Sequence, residues 1–529
     1  MKRVHWLWLL VFLAGILFLE LASIREKTFT ADEEDHYGYG WNILMLNPDS
    51  RIVGNGTLMP FNSLNALPRL IGRQLPEGRI RNFLIDLETG RLVTMLFSLL
   101  LAFYVFKWSR ELYGIAAGFF SLFLFAFSPT LIAHSRLITN DIFSACLMTV
   151  SLYYFWRFIS SGGWKLAIIT AVLAGVSQVV KYTMLAIYPI FIVILLCNQN
   201  KEIAGIIREG KWKALAQRCL VFSGYCLFFG LIGLLMINVG FLFHGTFTPL
   251  DEYNFKSLSW QTIQSQSGLL GQVPLPLPTL YLEGPDDRKW EEETGEHANN
   301  YLFGELRNPG YFPGYFFWAY LYKVPLALQL TIILSGIVYL KNRRSYAFRK
   351  NEIFLWVPIL LFTIYLNFFL FIQSGFRFII PVFPLLLVMG GNLLKNWQAF
   401  SRAARIGIGL LSTCLIVSVL SYFPHYLSYF NELVWDRKLA YKILADSNLG
   451  WGQNRNYLDR YRSEHPEVIF SPTYPRAGRI VLRANDLVGL FRPGEYRWLR
   501  ENFEPVDHVA YTYLVYDVTP ESLQDALRR

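Results

Sequence analysis

The chain has 529 residues, of which 53% are hydrophobic, 17% aromatic and only 17% charged, and that shortage of charge excludes an ordinary soluble protein. The net charge of +10 falls mostly in short loops between apolar runs, so it reads as a topology signal and not as a footprint for nucleic acid. All five cysteines lie in or beside apolar runs with no CxxC spacing, which argues against disulfides and thiolate metal sites.

A membrane-spanning helix needs about 20 mostly apolar residues, and the chain offers about eleven such runs. The first covers residues 4–22; it is too long for a signal-peptide core and is followed by acids where a small-residue cleavage site would stand. Immediately beyond it comes Thr30-Ala31-Asp32-Glu33-Glu34-Asp35-His36-Tyr37-Gly38-Tyr39-Gly40. Further on, Phe61, Leu64, Leu67, Leu70 and Ile71 recur at helical spacing beside Arg69 and Arg73, which predicts a helix along the membrane surface. Spans follow over 92–108, 115–131, 142–158, 166–180 and 184–197. The stretch His134-Ser135-Arg136-Leu137-Ile138-Thr139-Asn140-Asp141 precedes the fourth, and Lys181 separates the fifth from the sixth. After a basic loop, 198–218, the seventh span, 220–243, opens into a long polar loop, 244–315, whose acidic run 286–297 is expected to be an exposed surface. The remaining spans are 316–340, 354–372, 378–394 and 406–422. Beyond them the composition is that of a soluble region, with strands predicted over 479–483 and 509–518.

Lysine and arginine stay on the cytoplasmic side. With eleven spans, Lys2 and Arg3, the 198–218 and 341–350 loops, Lys395, Arg402 and Arg405 all share the N-terminal side. Asp32, residues 134–141, Lys181, Arg377, both long loops (23–90 and 244–315) and the C-terminal region then face away from the cytoplasm. The expectation is a polytopic α-helical membrane protein: a transmembrane domain over 1–422 and a small α/β soluble region over 423–529. Asn55-Gly56-Thr57 is a sequon on that outer side. Asp141 sits at the membrane boundary, where a carboxylate needs a cavity or a partner. Arg91, Arg136, Lys181, Lys323 and Arg377 lie at span ends on the same face. Carboxylates able to take a proton, beside cations able to hold a phosphate, suit group transfer from a lipid phosphate. Arg91 can equally be a buried partner for a carboxylate, and Lys181 a snorkelling side chain.

The sequence resembles the dolichyl-phosphate-mannose–protein mannosyltransferase type of glycosyltransferase, in particular its bacterial members that use polyprenyl-linked sugars. The resemblance rests on Asp32-Glu33 with His36, on the 134–141 stretch, and on Tyr301-Leu302-Phe303-Gly304-Glu305 with Lys323-Val324-Pro325. Gly375-Phe376-Arg377, Phe423-Pro424-His425 and the segment 446–453 complete it. That last segment departs from the bacterial pattern at Gly450 and Asn454, where relatives carry acids, and no role is assigned to it. The resemblance implies a GT-C-type helical bundle that transfers a sugar, with inversion, from a polyprenyl or dolichyl phosphate to a hydroxyl on a protein, lipid or glycan. Asp32 would be the base, with Glu33 and Asp141 as catalytic supports. His36, Arg91, His134, Arg136, Lys181, Lys323 and Arg377 would bind substrate. The sequence names no cofactor, and a divalent metal is compatible with the acidic cluster. The implied location is the plasma or inner membrane, with the active site on the non-cytoplasmic side. The rival reading is a transporter or flippase of an amphipathic substrate, which internal repeats with broken helices would favour.

Overall fold

Within a bilayer the backbone must satisfy its own hydrogen bonds, so apolar runs fold as helices. A computed structural model describes residues 2–49, 58–296 and 299–528; the Asn55 sequon and His297 lie outside the described residues. Helix α1 (Arg3–Ile24) leads through a short loop into α2 (Glu33–Leu44), and α3 (Ser63–Gly72) packs against α2. The amphipathic helix expected over 61–71 is therefore present, but it is pinned: Arg69 and Arg73 lie over the Trp41 ring at 4.6 and 4.4 Å. Gly40 permits this packing, since a Cβ there would collide with the Asn62 backbone.

Helix α4 (Leu87–Tyr113) follows, and then α5 (Ile115–Ala126) and α6 (Pro129–Ser135), which are bent by 68° from one another at the break before Pro129. Helix α7 (Asn140–Ser161) is the centre of the bundle, with 83% of its apolar window buried. After α8 (Trp164–Ser177) and α9 (Ile187–Arg208), α10 (Trp212–Gly240) is only 17% buried and presents Leu220, Leu227 and Leu231 outward, as a lipid-facing helix does. The long loop is structured: it carries α11 (Leu258–Gln266), α12 (Thr279–Thr294) and an antiparallel hairpin of β1 (Asn300–Leu302) and β2 (Glu305–Arg307). Its acidic run is not the exposed surface expected. Asp286 and Glu291 are buried, and Asp286 accepts from the backbone N–H groups of Lys256 and Ser257 and from Ser257 Oγ at 2.7–3.0 Å. Asp286, with Glu293 accepting from the backbone N–H groups of Leu258 and Ser259, ties the two loop helices together.

Helices α13 (Tyr315–Lys323) and α14 (Leu326–Lys341) turn by 111° at Val324-Pro325, so the run 316–340 is not a straight span. Helices α15 (Ile353–Phe368), α16 (Phe383–Gly391) and α17 (Arg402–Leu420) complete the bundle. Every apolar run read from the sequence overlaps a helix. Among the described residues, however, six helices are long and apolar enough to cross a membrane, or up to eight if each bent pair counts as one span. The runs at 166–180, 354–372 and 378–394 lie on shorter helices, so length does not establish the expected eleven.

The C-terminal region begins with α18 (Arg455–Glu464) after a stretch of short turns. Its sheet has the order β3–β4–β6–β5, formed by β3 (Ile469–Phe470), β4 (Gly478–Arg483), β5 (Asp507–Val509) and β6 (Tyr513–Val518), with β3 and β4 parallel and the other pairs antiparallel. The run predicted as one strand over 509–518 is split, because Ala510 and Tyr511 take positive φ and reverse the chain between β5 and β6. Ile480, Leu482 and Tyr516 join the same apolar core as the bundle helices. The loop after α1 is stitched to this region: Thr28 N donates to Gln453 O at 3.1 Å and Ala31 N to Trp451 O at 3.0 Å.

Candidate active site

A cavity of about 1390 Å³ lies where the loop after α1, the ends of α4, α7 and α8, the α12 helix and the C-terminal region meet. Asp32, His36, Asp141, Lys181, Arg377 and Asp446 line it. Asp32 stands at the start of α2 but does not cap it; its carboxylate accepts from Arg377 Nη1 at 3.0 Å. Arg377 sits on a single turn, Phe376–Phe378, behind Gly375, whose φ of +125° and contact with Ser447 leave no room for a side chain. The guanidinium stacks 4.3 Å over Trp451, donates to Ser374 Oγ at 3.3 Å, and leaves Nε without a partner among the described residues. Burial alone would lower the Arg377 pKa; the charges of Asp32, Asp141 and Asp446 outweigh it and raise it. This arginine stays charged.

Asp141, in the first turn of α7, is held by Lys181 Nζ at 2.8 Å, with Thr139 Oγ1 at 3.4 Å and His134 Nδ1 at 3.3 Å. Lys181 also lies 4.7 Å over the Phe378 ring, beside Arg377, so the two ion pairs are neighbours. His36, one turn into α2, is buried with Nδ1 unpartnered among the described residues, and burial lowers its pKa, keeping it neutral near pH 7.

Several residues expected in the site are elsewhere. Glu33 has none of its side chain exposed and does not line the cavity. It accepts from Arg91 Nε and Nη2 at 2.8 Å, from Thr30 N at 2.8 Å and from Ile138 N at 3.1 Å. Both oxygens are saturated, so Glu33 and Arg91 lock α2, α4 and the 134–141 stretch together, Arg91 as the buried carboxylate partner that is one of its two readings, and neither lines the cavity. Arg136 is likewise buried, donating to the carbonyls of Ser23 and Pro424. Lys323 donates to the carbonyls of Leu427 and Asn448 and lies under the Phe430 ring. Both side chains are anchored by carbonyl oxygens inside the protein. His134 lines a second, small hollow with Lys323, and Arg377 borders both that hollow and the main cavity.

The structure adds residues to which the sequence assigns no role. Asp446, at φ +60°, projects into the cavity from the segment left without a role; burial and the charge of Asp32 push its pKa up to about 6 against the pull of Arg377. Lys27 donates to Asn454 Oδ1 and approaches His425 Nδ1, both at 2.6 Å, and burial lowers its pKa to about 6. Near neutral pH it is a largely uncharged tether between the α1 exit and α18. Among the described residues no group of three or more His, Cys, Asp or Glu is arranged to hold a metal ion.

Residues 83–223 match a family model described as dolichyl-phosphate-mannose-protein mannosyltransferase. The matched stretch contains α4 to α9 and so includes Asp141 and Lys181. No curated protein matches the chain. Among solved structures the chain is similar to ArnT from Cupriavidus metallidurans bound to undecaprenyl phosphate, at 12% identity and a TM-score of 0.46, covering 97% of this chain and 98% of that one. The apo state of the same protein gives 12% identity and a TM-score of 0.33 over 96% and 97%. No residue role in this chain rests on that likeness.

Proposed function

We infer that the chain is a membrane glycosyltransferase of the dolichyl-phosphate-mannose–protein mannosyltransferase type, taking its sugar from a polyprenyl phosphate and passing it to an acceptor hydroxyl with inversion. The observation that carries the reading is the convergence of two carboxylate–cation pairs, Asp32–Arg377 and Asp141–Lys181, on one cavity at the ends of membrane helices. The family match over residues 83–223 supports the same chemistry, and no comparison favours a carrier. A carrier also places its charges near the midplane between repeats; here they stand at helix ends.

The donor phosphate enters beside Arg377 and Lys181. Arg377 offers an unpartnered Nε and can turn its fork from Asp32 to the phosphate oxygens. That exchange leaves the Asp32 carboxylate free for the acceptor. Asp32 takes the hydroxyl proton as the acceptor oxygen bonds to the anomeric carbon. The bond from that carbon to the phosphate oxygen breaks, and the polyprenyl monophosphate departs with the electron pair. Arg377 and Lys181 neutralise the charge that grows on it. Asp141 fixes Lys181, and neutral His36 is placed to accept or donate a hydrogen bond to a sugar hydroxyl. By the positive-inside argument the cavity opens on the non-cytoplasmic face, which reporter fusions at the C-terminus and within 341–350 test by falling on opposite sides. The direct test incubates purified protein in nanodiscs with radiolabelled polyprenyl-phosphate sugars and a crude envelope acceptor fraction. Release of the lipid monophosphate from at least one donor is expected. No release from any donor overturns the reading.

A further inference from the structure

The C-terminal region also lines the cavity, and on its first helix the charges are arranged differently. Helix α18 presents Arg455, Leu458, Asp459 and Arg462 to the cavity, at i, i+3, i+4 and i+7, which is one face of a helix. Most other cavity cations are neutralised: Arg377 and Lys181 as above, Arg288 by Glu291, Lys289 by Glu292 and Arg483 by Asp486. Lys27 is held by Asn454. Arg455 and Arg462 form no ion pair among the described residues, even with Asp459 between them on the same face.

We propose that this α18 face is the acceptor subsite and that the acceptor is an acidic glycan, bearing carboxylate or phosphate groups. The proposal rests on the transferase reading above and names the class of its second substrate. Two guanidiniums seven residues apart stand roughly 10 Å from each other along the helix, too far for one small anion and suited to a chain of sugars with repeated charge. Asp459 leaves the face net positive and gives sugar hydroxyls an acceptor. Phe470, with Arg462 5.4 Å over its ring, and the amides of Asn456 and Asn485 also line the cavity, offering stacking and hydroxyl contacts. The donor is accounted for separately, because its tail must stay in the bilayer where Arg377 and Lys181 stand at the helix ends.

The test measures binding to the full chain in nanodiscs by galacturonic-acid hexamer, a neutral galactose hexamer, a hexaglutamate peptide and a phosphorylated glycolipid placed in the discs. The acidic hexamer or the phosphorylated glycolipid is expected to bind at least tenfold more tightly than the neutral hexamer, and to weaken with salt. Binding of the soluble hexamer identifies a free glycan as the source; binding confined to the glycolipid identifies a lipid-borne one. Arg455→Ala with Arg462→Ala should lose that preference at least tenfold, Arg→Lys at both should restore part of it, and affinity for a polyprenyl-phosphate sugar should change less than twofold. Equal binding of acidic and neutral hexamers overturns the proposal, as does tighter binding of hexaglutamate. A parallel loss of donor affinity in the alanine variant also overturns it, assigning the face to the donor. If the wild type turns over no donor, the transferase reading falls, while glycan binding is still decided by its own arms.

Discussion

Asp32 keeps about a third of its side chain exposed and shares Arg377 across an open cavity, whereas Glu33, the next residue, is wholly enclosed by Arg91, Thr30 and Ile138. The same division runs through the cations. Arg377 and Lys181 reach the cavity with carboxylates beside them, while Arg136 and Lys323 end on backbone carbonyls inside the protein. Charge at a helix end therefore does two jobs here, and the partner tells them apart. A group saturated by fixed donors or acceptors holds the frame; a group with one mobile partner and an open side can exchange it for substrate.

The sharpest way to break this contrast is to remove a member of the closed set. Glu33→Ala strands a buried arginine and is expected to cost about 3–5 kcal/mol of stability, read as a large drop in thermal midpoint in detergent. A variant with wild-type stability would move Glu33 out of the lock. The next effect concerns Asp446. Its folded pKa of about 6 exceeds the ordinary 3.8, so the folded state binds the proton more tightly. Its contribution is full below about pH 4 and is lost as pH rises through 6. Asp446→Asn should match wild-type stability at pH 4 and exceed it at pH 7.5, by at most about 3 kcal/mol. Equal differences at both pH values would mean that Asp446 is not shifted.

Arg377 belongs to the open set, and its removal should spare stability and hurt donor use. Arg377→Ala is expected to weaken donor affinity roughly 10- to 100-fold, as loss of charge-assisted hydrogen bonds does, with Arg377→Lys a poor rescue because a point charge cannot replace the fork. Unchanged affinity in both variants would remove Arg377 from the donor site.

Much of this was legible in the sequence. Hydropathy located the helices, because lipid-facing and core-facing residues are both apolar, and basic loops placed Asp32, Asp141, Lys181 and Arg377 on one face. Their convergence follows in the structure. What hydropathy could not see is bending: Pro129 and Pro325 break apolar runs that read as continuous. Nor could it separate Glu33 from Asp32 or Lys323 from Arg377, since the difference lies in backbone groups brought from 100 or more residues away, such as Ile138 N to Glu33 and Leu427 O to Lys323. Asp446 carries no clear signal in the sequence, because its segment departs from the family pattern at Gly450 and its position depends on the packing of Ser447 against Ser374 and Gly375, which no local spacing encodes.

The central claim is that Asp32 is the carboxylate that takes the acceptor proton, and single-turnover transfer by Asp32→Asn tests it most directly. Asparagine keeps the size and much of the hydrogen bonding but cannot accept that proton. With donor prebound at saturating concentration, the variant is expected to fold and bind donor as the wild type does and to transfer about 10²–10⁴-fold more slowly, equivalent to roughly 3–5 kcal/mol of barrier. Transfer at the wild-type rate would contradict the account and return Asp32 to the role of a counter-ion for Arg377.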